Sequence, residues 1–222
     1  MDVTARKMLV PVWEWSETLE LIAHKYPHRY KDFAYSIRKN QWQSKSWLME
    51  MLSVINDKEN PVIWVLGSWY GTVIVPLIFE YIKDAKEIHL FDYDEEVFEI
   101  CHSLHKKWNK KIVRHCKDIN FEINKLKSYD VQPDIVINTS CEHMWHMRDM
   151  LLPNKDILYA FQSNNFDLEP AHISIAWDLD EFKYQAGLKN IEYEGSMKFH
   201  DHDDKYKRCL LYTSDAADEV SC

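Results

Sequence analysis

The stretch over residues 61–94, PVIWVLGSWYGTVIVPLIFEYIKDAKEIHLFDYD, constrains the fold of this chain more than any other. Val62, Ile63, Trp64, Val65 and Leu66 form a continuous apolar run, as a parallel strand covered on both faces requires. Gly67 permits a sharp turn, and Gly71 lets a following helix start close to the strand or to a ligand. A crossover helix is predicted over 72–82, where Pro76 fits within the first turn. A second strand over 87–94 carries Ile88, Leu90 and Phe91 into Asp92. Gly71 and Asp92 stand about 20 residues apart, the interval at which an acid at the second strand end reaches a nucleoside ribose. The pattern is that of a βαβ unit with a nucleotide-sized opening.

Outside this unit, apolar runs and helical periodicities alternate. Helical spacing of Leu19, Ile22, Ala23 and Tyr26 predicts a helix capped by Ser16 and ended by Pro27, and Trp47, Leu48, Met51, Leu52 and Ile55 predict a second. Further helices are expected over 95–107, 121–126 and 179–187, the last with Gly187 as its left-handed cap. Strands are expected over 111–116, 134–139 and 157–162, with 173–177 a further strand or extended connection. A closing antiparallel hairpin is expected from 191–199 and the Tyr206 region. Alternating strands and helices force right-handed crossovers and a largely parallel sheet, whose ligands bind beyond the strands' carboxyl ends. Gly67, Asp92, Asp118 and residues 139–143 then fall at one edge.

Taken in order, the runs VLGSWYG, FDYDEEVF, HCKDI, DIVINTSCEHM and DLDEFKYQAGLKNIEYEG resemble the motif series of class I S-adenosylmethionine-dependent methyltransferases, over about residues 61–208. The resemblance implies a Rossmann-like α/β fold with a mostly parallel seven-stranded sheet, helices on both faces and S-adenosylmethionine as cofactor. It implies cofactor contacts from Gly67, Ser68, Trp69 and Gly71, from Asp92 to the ribose, from Asp118 and Ile119 at the adenine, and from Thr139. Trp69 stands where the family usually has a middle glycine, and Val65 where it often has an acid. Asp94 reads as the cap of the next helix, and Asp118 also suits a cap. NTSCEHM resembles the Glu-His pair of small-molecule methyltransferases, which makes His143 the candidate base and Glu142 its partner. The alternative is a helix-start histidine that orients the loop. Cys141 lacks the flanking proline and glutamine of cytosine-C5 methyltransferases.

Composition sets the remaining expectations. With 222 residues, 46% hydrophobic and 28% charged, the chain has the make-up of one globular domain with an appendage. Residues 1–57 read as an aromatic-rich helical cap, in which Trp42 and Tyr35 could face substrate, and 58–208 as the methyltransferase domain. The net charge of -9, without a lysine or arginine block, makes a nucleic-acid partner unlikely, and the resemblance implies a small-molecule substrate. No membrane span or signal is evident, and five cysteines without CxxC pairing fit reduced thiols, so cytoplasmic residence is expected. His200, Asp201, His202, Asp203 and Asp204 read as a solvated loop rather than a metal site, and His102 and His105 as exposed; no metal is expected. The final fourteen residues, CLLYTSDAADEVSC, resemble a translated transposase adaptor of sequencing libraries, so 209–222 is expected to be non-native. Leu210–Thr213 could still pair as a substitute last strand. Rival readings are another reaction of the same cofactor, such as aminopropyl transfer or a lyase, and a silent Rossmann-like binding domain.

Overall fold

A computed structural model describes residues 12–154, 156–199 and 207–215. Three helices precede the first strand: α1 (Val12–Lys25), α2 (Tyr30–Ser36) and α3 (Lys39–Ile55). Then follow β1 (Val62–Leu66), α4 (Ile74–Tyr81), β2 (Glu87–Asp92), α5 (Glu95–Leu104), β3 (Ile112–Cys116), α6 (Ile119–Leu126), β4 (Ile135–Asn138) and β5 (Leu158–Asn164). The chain continues through α7 (Leu179–Ala186), β6 (Asn190–Phe199) and β7 (Lys207–Asp215). The seven strands form one sheet in the order β3-β2-β1-β4-β5-β7-β6. The first five are parallel, and β7 runs antiparallel between β5 and β6.

The two-residue period of the strands divides the core between the faces of the sheet. Ile63, Val65, Ile88, Leu90, Ile135 and Ile137 point to one face, where α3 and α4 bury Leu48, Leu52, Ile74 and Ile78. Trp64, Leu66, Phe91, Val136, Tyr159 and Phe161 point to the other, against Ile119, Leu126, Phe182 and Ala186. β1 is buried at every position, which explains its uninterrupted apolar sequence. β6, at the edge, alternates between exposed and half-buried residues. A third cluster joins Ile22, Tyr26 and Phe33 of the N-terminal helices to Tyr70 and to Val97, Ile100 and Leu104. None of the described helices is long and apolar enough to cross a membrane.

Several local expectations change. The first helix begins at Val12, so Ser16 lies inside it and is not its cap. Of the two options for residues 173–177, the structure has the connection and not the strand; the Ile173 and Ser174 amides donate to the Glu142 carbonyl at 2.8 Å and 3.0 Å. His105 is buried rather than exposed, because α5 ends at Leu104 and the ring folds beneath the first loop. There its Nε2–H donates to the Tyr70 carbonyl at 3.1 Å, and burial lowers its pKa to about 3, so it stays neutral. The loop 200–204 lies outside the described residues.

Leu210–Thr213 pairs with both β5 and β6, and Leu210 and Leu211 are fully buried. An apolar β-compatible run fills this gap whatever its origin, since backbone bonds and burial set the pairing. The fit is imperfect at Thr213, a fully buried residue whose hydroxyl has no hydrogen-bond partner among the described residues. Thr213→Val removes the unsatisfied group at nearly constant shape, and should stabilise the fold by about 1 kcal/mol. A thermal or urea melt that shows no gain would mean that the hydroxyl is satisfied in solution.

Candidate active site

The carboxyl ends of β1, β2, β4 and β5 open into one cleft of about 730 Å3. Its floor is set by the loop after β1. Gly67 has φ +62°, a conformation that favours glycine, and a Cβ there would lie 2.6 Å from the mobile end of the Met144 side chain. The Ser68 N–H donates to the Phe91 carbonyl at 2.9 Å, and the Trp69 N–H to Asp92 Oδ2 at 2.8 Å. The first loop is thereby fastened to the end of β2.

Trp69 itself has φ +49°, an uncommon conformation for a bulky residue. The N-terminal helices hold it there. Asp32 of α2 accepts hydrogen bonds from Trp69 Nε1 at 3.1 Å and from the Tyr70 hydroxyl at 2.6 Å. Burial and the Asp32 carboxylate keep the Tyr70 phenol well above its usual pKa, hence protonated. Arg29, just before α2, reaches Asp94 at 2.5 Å and Glu96 at 2.7 Å. Sequence reasoning missed Arg29 and Asp32; their i, i+3 spacing is common on helices and carried no special signal.

Asp92 Oδ1 also accepts the Asp94 N–H at 3.2 Å. Burial nevertheless raises its pKa, with Asp94 adding like-charge repulsion, and the two amides offset part of this. With one amide on each oxygen, further lone pairs remain for a ligand's hydroxyls. Asp94 and Asp118 both cap helices, accepting from the Glu96 N–H at 3.1 Å and the Asn120 N–H at 3.0 Å. Ile119 follows Asp118 on the same wall, and Ser68, Gly71 and Thr139 line the cleft with them.

At the other end, β4 leads into a single turn of 3-10 helix over Cys141–His143. Glu142 is buried, its Oε1 accepts from Asn164 Nδ2 at 2.6 Å, and its Oε2 has no partner among the described residues. Burial pushes this carboxyl up to about 7, and Lys45 and the Asn164 hydrogen bond only partly oppose it. His143 is more open; its Nδ1 lies 3.2 Å from the Ala171 carbonyl and its Nε2 3.9 Å from Glu142 Oε1. Burial and neighbouring His172 lower its pKa, favouring neutral imidazole. The rings of His143 and His172 meet edge to face at 4.5 Å between centroids. Asn164 and His172 were not legible in sequence, because Asn164 is only the last residue of β5 and His172 lies in an aperiodic loop.

Every residue that the sequence pointed to, from Gly67 to His143, thus borders the same cleft. Tyr35 lines it too, with the Arg38 guanidinium 3.7 Å over its ring, whereas Trp42 packs against the core.

No protein-family model matches the chain, and no curated protein matches it by sequence. Solved structures do match. The N-methyltransferase NodS from Bradyrhizobium japonicum, in complex with S-adenosyl-L-homocysteine, superposes with a TM-score of 0.57 at 12% identity, over 92% of this chain and 99% of that one. The chain has the class I methyltransferase fold. TehB from Haemophilus influenzae matches with a TM-score of 0.55 at 13% identity, over 77% of this chain and 61% of that one. The fibrillarin pre-rRNA processing protein from Methanococcus jannaschii matches at 0.51 and 13%, over 72% and 67%. This last similarity corrects the expectation that a nucleic-acid partner is unlikely. A methyltransferase-fold protein works in RNA processing, and net charge is a poor guide when Arg38, Lys45 and Lys117 all line this cleft.

The Glu142 carboxyl yields a pH prediction. Its folded pKa lies above the unfolded value of 4.5, so the folded state holds this proton more tightly. The resulting stability is fully present below pH 4.5 and is lost as pH rises through about 7. Glu142→Gln should therefore gain on the parent between pH 5 and pH 8, by on the order of 3 kcal/mol. Parallel melting curves for the two proteins would place the Glu142 carboxyl in water.

Proposed function

We propose that the protein is an S-adenosylmethionine-dependent methyltransferase whose acceptor is a small molecule bound at the Glu142 and His143 end of the cleft. The observation that carries this reading is Asp92, a desolvated carboxylate aimed into the cleft beside a left-handed loop and held by two backbone amides. Such a carboxylate suits the paired hydroxyls of a ribose. Asp118 and Ile119 suit the adenine, and Gly67 with Thr139 leaves a path for the amino-acid end. The match to NodS with bound S-adenosyl-L-homocysteine supports the same cofactor.

The cofactor supplies an activated methyl group, so the protein's work is to align the acceptor and exclude water. His143 Nδ1 faces a carbonyl, which can only accept, so Nδ1 carries the proton and Nε2 is free to take one from a hydroxyl or ammonium acceptor. Glu142 stands behind it as a partner held by Asn164. A nucleotide within RNA, offering the same groups, is the second reading, favoured by the basic residues at the cleft. Other transfers from the same cofactor are separated by product: S-adenosylhomocysteine marks methyl transfer, and methylthioadenosine does not.

Calorimetric titration of the 222-residue chain with S-adenosylmethionine and S-adenosylhomocysteine tests the cofactor directly, with micromolar binding expected. Asp92→Ala should weaken both by about 10-fold or more, the loss of a hydrogen-bonded charged acceptor, without lowering helical content. Undiminished affinity would remove Asp92 from the site. Once an acceptor is found, His143→Ala should cut turnover by about 10²-fold or more while sparing cofactor affinity; unchanged turnover would leave His143 as scaffold.

A further inference from the structure

The acceptor end of the cleft holds a second constellation. Glu142, His143 and His172 each present a ligating atom, and these atoms lie within 4.8 Å of one another. They come from two separate segments, the 3-10 turn after β4 and the loop after β5. The two segments are tied by the Ile173 and Ser174 amides, which both donate to the Glu142 carbonyl.

Both imidazoles are set in the tautomer that a metal ion needs. His143 Nδ1 faces the Ala171 carbonyl at 3.2 Å, and His172 Nδ1 faces the Phe166 carbonyl at 2.6 Å. A carbonyl only accepts, so each Nδ1 carries the hydrogen and each Nε2 keeps its lone pair. Backbone carbonyls that orient ligating imidazoles in this way are the usual outer partners of a metal site. Glu142 adds a second, independent sign. Asn164 fixes one of its oxygens, and the other is buried without a partner among the described residues. An unpaired carboxylate oxygen is costly to bury; the oxygen 3.9 Å from His143 Nε2 is the other one, Oε1, and a cation bound there would neutralise the carboxylate as a whole.

We infer that Glu142, His143 and His172 form a binding site for one divalent transition-metal ion of the zinc or manganese type, with its open positions toward the acceptor side of the cleft. Two imidazoles and one carboxylate suit such ions, and three protein ligands leave coordination positions for oxygen donors of a small molecule or nucleotide. Ligand atoms around one ion at about 2.0–2.2 Å sit closer together than 4.8 Å, so short side-chain movements complete the site. Sequence could not reveal the set, since His172 lies in an aperiodic loop. The ion site rests on the side chains alone; its use in activating an acceptor rests on the methyl-transfer reading. The ion would occupy the His143 Nε2 lone pair and polarise the acceptor oxygen instead of His143 removing its proton.

The test is metal titration of chelator-treated, full-length protein with Zn2+ and Mn2+ by calorimetry, and with Co2+ by visible absorption. One ion per chain is expected to bind. His172→Ala and the near-isosteric Glu142→Gln should each lower affinity by more than about 100-fold, beyond the 10–100-fold lost when only an orienting partner is removed. Melting curves confirm that both variants are folded, and a paired His200→Ala, His202→Ala variant should bind as the parent does. No saturable binding, unchanged affinity in His172→Ala, or loss confined to the 200/202 variant would each overturn the inference. S-adenosylhomocysteine titrated into the same samples keeps the two readings apart. Metal binding without it would leave the ion site standing and sink methyl transfer; the reverse would sink the ion site alone.

Discussion

The hydrogen bond from the Trp69 amide to Asp92 is the tie on which the site depends. It joins the loop after β1 to the end of β2 and turns an otherwise costly left-handed tryptophan into a fixed wall of the cleft. Around it, Asp32 holds the indole from the N-terminal helices, and Arg29 draws Asp94 and Glu96 toward the same helices. The first helices therefore shape the wall of the cleft as well as covering it. The carboxylates draw on different donor types: Asp92 takes backbone amides, Asp32 an indole and a phenol, and Asp94 and Glu96 share the Arg29 guanidinium. Acids can stand this close together only when donors of this kind offset their mutual repulsion.

Much of this was legible in the sequence. The unbroken apolar run of β1, the two glycines and the acid at the end of β2 each had one economical use, and the structure puts them in that relation. The helix caps Asp94, Asp118 and Gly187 also stand where residue type placed them. What failed was inference across gaps. His105 was read as a helical surface residue, but the helix stops one residue earlier and the ring goes under Tyr70. The start of α1 was placed at the nearest polar cap, although Val12–Lys25 forms without one at Ser16. Arg29, Asp32, Asn164 and His172 reach the cleft through tertiary packing, which leaves no periodic trace in the chain.

The two ends of the cleft differ in how they treat charge. At the Asp92 end the carboxylate is paid for by backbone donors that are already in place. At the Glu142 end one oxygen is left unsatisfied and burial raises the carboxyl pKa to about 7. The first arrangement is complete before a neutral hydroxyl arrives. The second is balanced only by something positive, a proton or a cation. This asymmetry makes the two ends of the cleft chemically distinct.

The position of β7 between β5 and β6 has a kinetic consequence. β6 comes first in the chain, yet its sole neighbour among the described strands is β7, so it cannot join the sheet until the later strand has been laid down. The parallel half, β1 to β5, can assemble on its own hydrogen bonds. β7 either pairs first with the free edge of β5 or forms the hairpin with β6 before docking there. Before docking, that edge is an open row of amides and carbonyls, available to any extended segment. The order of strands thus leaves the closing of this edge to the last strands of the chain, where it competes with intermolecular pairing.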